Sequence, residues 1–360
     1  MAKIDAFFKL MHEQSASDLH LMAGQPPALR VHGDIERVKY KVLDNDELRA
    51  MLYEIATEDK IKTFEETGDV DFGYEIPGLA RYRANFFMQK NGVGAVFREI
   101  PSTILTCEQL GLPQVISKLA GLPRGLVIVT GPTGSGKSTT LAAIIDEANR
   151  TRADHIITIE DPIEFVHKSQ GCLVNQREVG IHTKSFTAAL RGALREDPDI
   201  ILVGEMRDLT TMSLAIEAAS TGHLVFSTLH TTSAAKTVDR IVEVFPAEEQ
   251  GQVRSTLADG VRAIISQTLF KRVDKKGRIP AQEILIATPA VRNLIREAKS
   301  HQIPSSIQTG KKYGMQLLDD AIMELFNKGR ISADDAYSKA NDKGRFRPLL
   351  KSPPTDFTEA

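Results

Sequence analysis

Short stretches in which apolar and polar residues alternate dominate the first hundred residues, a pattern typical of half-buried strands. The turn-forming pairs Pro77-Gly78 and Asn91-Gly92 separate three of them, residues 69–76, 80–89 and 94–100. Residues 29–35 have the character of a hairpin with Gly33 and Asp34 at its turn. These patterns predict an antiparallel set of strands.

Helical periodicity appears twice in the same region. The N-terminus reads as an amphipathic helix that includes Asp5 and Lys9, and residues 48–63 carry a second helical pattern. Together with the strands, these helices predict a small α+β domain over residues 1–100.

The pattern changes at Arg124, where apolar runs bounded by Gly, Pro or charged residues begin to alternate with helical stretches. The predicted strands are residues 126–130, 155–159, 200–203 and 224–228. Such alternation predicts a mostly parallel sheet covered by helices. After Ser233 the chain is predicted to be mostly helical to about Ala340.

Proline content marks two segments between or beyond these regions. Residues 101–123 hold three prolines and short leucine-bearing segments, which predicts a linker with a short helix. Residues 346–360 are predicted to be a loose tail. The second domain, with a helical C-terminal part, is therefore expected over residues 124–345.

The 360 residues suit two domains, and 45 basic against 47 acidic residues give a formal net charge of −2. This balance argues against a surface built as a whole to bind polyanions. Cys107 and Cys172 are too few for a disulfide framework or a four-cysteine zinc site. No apolar run approaches the roughly 18 residues of a membrane span, and the N-terminus is not a signal peptide. A cytoplasmic protein is expected.

A phosphate loop is predicted at residues 131–138, GPTGSGKS, which follow an apolar strand and precede a helix. Glycines let successive main-chain N–H groups point at phosphate oxygens, and the helix N-terminus adds its positive end. Lys137 is expected to reach the β- and γ-phosphates and Ser138 to bind Mg²⁺. The predicted nucleotide-binding residues are Thr133, Gly134, Ser135, Gly136, Lys137, Ser138 and Thr139.

Carboxylates follow two of the predicted strands. Glu205 ends the run DIILVGE, where it could orient or deprotonate the attacking water. Glu160, Asp161 and Glu164 end another run, where they could position water or hold the water shell of a metal. A surface position for Glu205 and a solvated acidic loop for the other three are the structural alternatives.

Histidines stand at both ends of a third strand, residues 224–228. A strand would separate His223 and His230 by about 20 Å, which is too far for them to share a metal. Either could sense the γ-phosphate or transfer a proton, and simple packing is the alternative for each.

Basic residues form two further patterns. Arg81 and Arg83 share one face of a predicted strand, where they suit a polyphosphate, and Arg98 is a weaker third candidate. The segment AVRNLIRE, residues 290–297, places an apolar stripe on one helical face and Arg292 and Arg296 on another. The arginines of both segments could equally be solvated.

Four segments, taken in order, resemble the secretion and type IV pilus ATPases of the RecA-like P-loop class: GPTGSGKS, TIEDPIEF, DIILVGEMRD and GHLVFSTLHTTSA. Five further segments are most similar to the pilus retraction (PilT, twitching motility) family: ASDLHL, RYRANFF, VNQREVG, FPAEEQ and AVRNLIRE. Val291 stands where that family has Ile, which keeps an apolar β-branched side chain.

The resemblance implies an α/β protein with a RecA-like core and a PAS-like N-terminal domain, assembled as a homo-hexamer. It implies ATP hydrolysis with Mg²⁺, coupled to pilin disassembly through an inner-membrane platform protein. No nucleic-acid partner is expected, because the net charge is near zero and aromatic residues are few. Glu205 becomes the catalytic carboxylate, Glu160 to Glu164 an acidic box, and His223 and His230 a histidine box. Arg81 and Arg83 become arginine fingers.

Four alternatives remain open at this point. An assembly or secretion ATPase commonly carries a longer N-terminal region and a four-cysteine zinc motif, which this chain lacks. An accessory retraction paralogue is harder to separate by motif. A nucleic-acid motor is disfavoured because the chain has no Trp and 6% aromatic residues. A nucleotide-binding scaffold without hydrolysis is the last.

Overall fold

The structure, a computed structural model, describes residues 3–14, 16–31, 34–100 and 103–352. The chain divides into two compact units. The first comprises residues 1–103 with 162–166, and the second comprises residues 104–161 with 167–360. Within the described ranges, no helix is long and apolar enough to cross a bilayer.

The first unit is an antiparallel sheet with three helices. The helices are α1 (Asp5–Glu13), α2 (Asn45–Tyr53) and α3 (Glu58–Thr67); the strands are β1 (Asp18–Met22), β2 (Ala28–Val31), β3 (Asp34–Arg37), β4 (Asp69–Ile76), β5 (Ala80–Gln89) and β6 (Gly92–Ile100). The strand order is β3-β2-β1-β6-β5-β4, and every neighbouring pair is antiparallel.

Alternation along β5 builds the core of this unit. Tyr82, Ala84 and Phe86 are buried, and Phe8 of α1 packs on Tyr82 with ring centroids 4.3 Å apart. The alternate residues of β5 therefore lie on the other face of the sheet, as the period of two predicts.

The prediction of β4, β5 and β6 is confirmed, but the single helix over residues 48–63 is wrong. Two helices, α2 and α3, cover that region because Thr57 adopts an extended conformation and Glu58 and Asp59 begin a new first turn. The hairpin at residues 29–35 is present as β2 and β3, with Asp34 inside β3 opposite Val31. The predicted turn residue Gly33 lies outside the described residues.

The second unit contains the remaining strands, a set of helices and short 3-10 turns. The strands are β7 (Gly125–Thr130), β8 (His155–Glu160), β9 (Leu173–Glu178), β10 (Ile200–Val203), β11 (Leu224–Leu229), β12 (Val261–Lys271) and β13 (Arg278–Ile286). The helices are α4 (Gln114–Lys118), α5 (Lys137–Thr151), α6 (Phe186–Ala193), α7 (Leu209–Thr221), α8 (Ala234–Glu243), α9 (Gln250–Gly260), α10 (Pro289–Arg296), α11 (Ile303–Thr309), α12 (Leu318–Asn327), α13 (Ala333–Lys339) and α14 (Lys343–Phe346). The 3-10 turns are Leu119–Gly121, Ser300–Gln302, Lys311–Tyr313 and Arg347–Leu349.

The seven strands lie in the order β13-β12-β7-β11-β10-β8-β9, parallel except for β13. Every residue of β7, β10 and β11 is buried, so helices cover both faces of the sheet. The carboxyl ends of β7, β8, β10 and β11 meet at one edge, and the phosphate loop leaves β7 at that edge. This is the mostly parallel sheet that the pattern predicts, and it fits the RecA-like core that the family resemblance implies.

The mostly helical C-terminal part predicted after Ser233 is wrong in one respect. Residues 261–271 and 278–286 form β12 and β13, a hairpin that extends the sheet beyond β7. The centre of β12 is buried on both faces, so it lacks the alternation that marks a half-buried strand. Strand β9 is also absent from the predicted strands.

The tail predicted to be loose from residue 346 is ordered at its start. Phe346 is fully buried in a small core with Phe270, Ile322 and Tyr337. Asp342 caps α14 by accepting from the main-chain N–H of Arg345. Residues 353–360 of that prediction lie outside the described residues.

His167 predicts a pH dependence of folding. The imidazole is buried, its Nδ1 has no hydrogen-bond partner in the described ranges, and burial lowers its pKa to about 4 against a smaller opposing effect of Asp146. Because the folded state binds this proton less readily than the unfolded state, stability present above pH 6.5 is lost as the pH falls toward 4.

Between pH 7 and pH 5, the wild type should lose about 2 kcal/mol of unfolding free energy relative to His167→Gln. Urea denaturation at both pH values measures the difference, with replacement of the exposed His301 by Gln as the matched control. Equal losses in the wild type and His167→Gln would contradict a buried neutral imidazole.

Candidate nucleotide site

The phosphate loop curls between the end of β7 and the first residue of α5. Gly131, Gly134 and Gly136 have φ angles of +143°, +76° and +84°, which residues with a side chain rarely adopt. Gly136 immediately precedes the 15-residue helix α5. The loop therefore presents main-chain amides and the positive end of a helix dipole to the same space, which is a ready anion site.

Lys137 is held inside this loop by main-chain carbonyls. Its Nζ donates to the oxygen of Gly131 at 3.0 Å and to that of Pro132 at 3.2 Å. A phosphate oxygen is a stronger acceptor than a carbonyl because it is charged. The lysine can thus exchange these neutral partners for phosphate.

The hydroxyl residues of the loop differ in exposure. Thr133 is exposed, Ser138 and Thr139 are half-buried in the first turn of α5, and Ser135 is buried. Within the described part of the chain, Ser135 Oγ has no hydrogen-bond partner. The hydroxyl predicted to bind metal, that of Ser138, is therefore partly accessible to solvent.

Glu205 lies one residue beyond Gly204, at the carboxyl end of β10. Gly204 donates its N–H to Ile159 at 2.8 Å and accepts from Thr228 Oγ1 at 2.6 Å. Met206 in turn donates its N–H to the oxygen of Thr228 at 3.2 Å. Main-chain bonds to strands on both sides thus fix the backbone that carries the carboxylate.

Three predicted site residues meet at this point. His230 Nε2 lies 2.9 Å from Glu205 Oε1, and Lys137 Nζ lies 3.5 Å from His230 Nδ1. An ammonium can only donate, so Nδ1 accepts and Nε2 carries the proton that it donates to Glu205. The imidazole, which follows β11, therefore connects the phosphate loop after β7 to the carboxylate after β10, the strands on either side of β11.

Arg207, which is not among the predicted site residues, completes this cluster. Its Nε donates to Glu205 Oε2 at 2.9 Å, so each carboxylate oxygen has a donor. The signal was present in the sequence, because Arg207 lies two residues after Glu205 in GEMRD.

Glu160 lies at the same edge of the sheet, because β8 pairs with β10 in parallel. It is buried, and its Oε1 accepts from Thr158 Oγ1 at 2.6 Å and from Gln176 Nε2 at 3.1 Å. Asp161, which follows it, is exposed. Glu160 is thus a fixed acceptor rather than part of a free acidic loop.

The structure does not bring His223 to the phosphate loop of its own chain. It precedes β11, whereas His230 follows that strand, and its Nδ1 donates to the carbonyl of Ala218 at 3.1 Å. The six residues of β11 separate the two histidines by about 20 Å. Here His223 binds the end of α7.

The remaining predicted residues belong to the first unit. Glu164 lies in residues 162–166, and Arg81 and Arg83 lie on the face of β5 opposite its buried side chains. Arg83 Nε is 3.5 Å from Asp71, and Arg81 Nη1 is 3.8 Å from Glu75.

Arg98, the weaker third candidate, has a structural partner. Its Nε donates to Oδ1 of the buried Asp18 at 2.8 Å. A buried carboxylate needs such a donor, so Arg98 is explained without a ligand.

The candidate metal ligands at the strand ends are carboxylate and hydroxyl oxygens, which suit Mg²⁺. In the described ranges no group of three or more His, Cys, Asp or Glu residues could hold a metal. Mg²⁺ commonly takes one or two protein ligands together with substrate phosphates and water. The Ser138 hydroxyl fits that role.

The chain is similar to known proteins along most of its length. Residues 90–335 match the family described as Type II/IV secretion system protein. The chain is 58% identical over 328 residues to the type IV pilus retractation ATPase PilT of Pseudomonas aeruginosa, covering 91% of this chain and 95% of that protein. It is 40% identical to the type IV pilus ATPase PilU of the same organism, covering 97% and 91%.

A crystal structure of the pilus retraction motor PilT with bound ADP is similar over nearly the whole chain. The TM-score is 0.88 at 45% identity, and the alignment covers 96% of this chain and 98% of that one.

Proposed function

The chain belongs to the type II/IV secretion system protein family, and we propose that it is the ATP-hydrolysing motor of type IV pilus retraction. The observation that carries the proposal is the meeting of Lys137, His230 and Glu205 at the phosphate loop. The names of the relatives, and their similarity over nine-tenths of the chain, support the pilus as the system served.

In this proposal, the loop amides and the N-terminus of α5 bind the triphosphate, and Lys137 neutralises its β- and γ-phosphates. Ser138 would hold Mg²⁺, which when bound offsets charge on the same phosphates. Glu205 orients the attacking water and accepts its proton. His230 keeps the carboxylate facing the loop.

Glu160 and Glu164 are proposed to complete the acidic side of the site. The hydrogen bonds from Thr158 and Gln176 hold Glu160 in one orientation, as a water-positioning group requires. His223 is proposed to act only through α7, because it binds that helix in this structure.

Arg81 and Arg83 are proposed to stabilise charge that develops on the γ-phosphate, within a homo-hexameric ring. Arg83 lies 3.5 Å from Asp71 in an exposed pair, which is weak and readily exchanged for phosphate, and Arg81 lies 3.8 Å from Glu75. Hydrolysis would then depend on closure of the ring around ATP.

The proposed load is a platform protein of the inner membrane, which the motor meets from the cytoplasm. The greater identity to PilT than to PilU favours the main retraction motor over an accessory paralogue. An assembly or secretion ATPase is the remaining alternative within the family.

Replacing Glu205 by Gln should lower kcat at least 100-fold, because the amide cannot accept the proton of water. The affinity for ATP should stay within about threefold, since the phosphate-binding amides are unchanged. Steady-state ATPase assays and titration with a fluorescent ATP analogue measure the two quantities. Glu217→Gln, an exposed carboxylate on α7, is the matched control; full activity of Glu205→Gln would remove the catalytic assignment.

Replacing Arg81 and Arg83 together by Ala should slow hydrolysis about 1,000-fold while nucleotide binding persists, as for arginine fingers elsewhere. Arg37→Ala on the exposed strand β3 is the control. The ATPase rate per subunit should be measured together with particle mass at several concentrations. Hydrolysis at the wild-type rate in the double variant would show that the two arginines do not stabilise charge on the γ-phosphate.

Deleting the gene from its host should increase surface pili and abolish twitching, because extension would continue without retraction. Electron microscopy of pili and a surface motility assay measure this, with the wild type but not Glu205→Gln restoring movement. Loss of pili would indicate an assembly motor instead.

The nucleic-acid alternative is tested separately in the ATPase assay. ATPase activity raised many-fold by single-stranded DNA would favour a nucleic-acid motor.

A further inference from the structure

We propose that Gln267 is a positioning residue for the phosphate loop, which holds one peptide of the loop in the orientation that binds phosphate. The inference rests on the proposed nucleotide-binding function. Gln267 lies in β12, next to β7, and is buried. No sequence motif points to it.

The side-chain amide of Gln267 binds the main chain of the loop directly. Its Nε2 donates to the carbonyl of Ser135 at 2.6 Å, a contact between residues 132 positions apart. In a trans peptide, the C=O and the following N–H point in opposite directions. Anchoring the Ser135 carbonyl on β12 therefore aims the N–H of Gly136 away from β12.

Gln267 also leaves no room for a side chain at two glycines of the loop. A Cβ on Gly131 would overlap the main-chain oxygen of Gln267, and one on Gly136 would lie 2.9 Å from Gln267 Nε2. The loop thus rests on Gln267 at both ends. The close approach explains these two glycines independently of any phosphate.

The orientation of the amide is itself determined. Gln267 Oε1 accepts from Thr140 Oγ1 of α5 at 2.8 Å and from Gln282 Nε2 of β13 at 3.2 Å. Two donors at the oxygen leave only the nitrogen to face Ser135. Gln282 is held in turn, because its main-chain oxygen accepts from Gln316 Nε2 at 2.8 Å.

A loop without this anchor would spend only part of its time in the binding conformation, and its apparent affinity would fall by that fraction. One lost hydrogen bond corresponds to roughly tenfold. Because ADP and ATP use the same amides, both should be affected alike. The effect should therefore appear in KM and Kd, with kcat at saturation nearly unchanged.

The test uses the full-length protein and the fluorescent nucleotide N-methylanthraniloyl-ADP. Gln267→Met should weaken its binding about tenfold, with kcat within about threefold of wild type. Asn149→Leu is the matched control, since it removes a buried amide of α5 that bonds residues 168 and 170 and touches neither the phosphate loop nor Gln267, and it should bind like the wild type. Unchanged affinity in Gln267→Met, or equal weakening in Asn149→Leu, would overturn the proposal.

Gln267→Glu keeps the test valid should Gln267→Met not fold. Burial favours the neutral acid, which can donate to Ser135, whereas the carboxylate would face the carbonyl unfavourably. Its affinity relative to wild type at the same pH should be about tenfold weaker at pH 8 and recover toward pH 6. A ratio that does not change with pH would contradict a donor role.

The binding measurement also separates this inference from the proposed function. A wild type that binds the fluorescent ADP but does not hydrolyse ATP would refute the motor, while the affinities of the Gln267 variants would still decide the positioning role.

Discussion

Parallel pairing of four buried strands is the constraint on which the site depends. Because β7, β11, β10 and β8 run in one direction, their carboxyl ends meet at one edge, where the chain must leave the sheet. The phosphate loop, His230 and Glu205 come within two residues of the end of one of these strands, and Glu160 is the last residue of β8. Hydroxyl groups of Ser227 and Thr228 bind the main chain of β10 and the residue after it, and so hold neighbouring strand ends in register.

At that edge, an ammonium and a carboxylate are connected through an imidazole. The ammonium of Lys137 contacts the imidazole of His230, which contacts the carboxylate of Glu205, which also binds Arg207. These side chains are partly exposed, so each pair adds little to stability by itself. Their value is in orientation: both carboxylate oxygens are engaged, and the lysine remains on the loop.

Residue type alone did not decide which predicted residues join the site. His223 and His230 flank the same strand, yet one binds the end of α7 and the other reaches Glu205. Arg98 carries the same guanidinium as Arg81, but it compensates a buried aspartate. Whether a residue joins the site depends on which end of a strand it occupies, as for the two histidines, or on its partner on a neighbouring strand, as for Arg98. A local sequence motif contains neither kind of information.

The sequence by itself determined the strands of both sheets that have clear patterns, the phosphate loop, the acidic residue after β10 and the α/β class. These features are local, since period, turn residues and glycine spacing act within a few residues. Tertiary structure alone decided that β12 and β13 join the sheet, that Arg207 binds Glu205, and that Gln267 supports a loop 132 positions away. Such contacts depend on strand order, which is set by packing of the whole sheet rather than by any one segment.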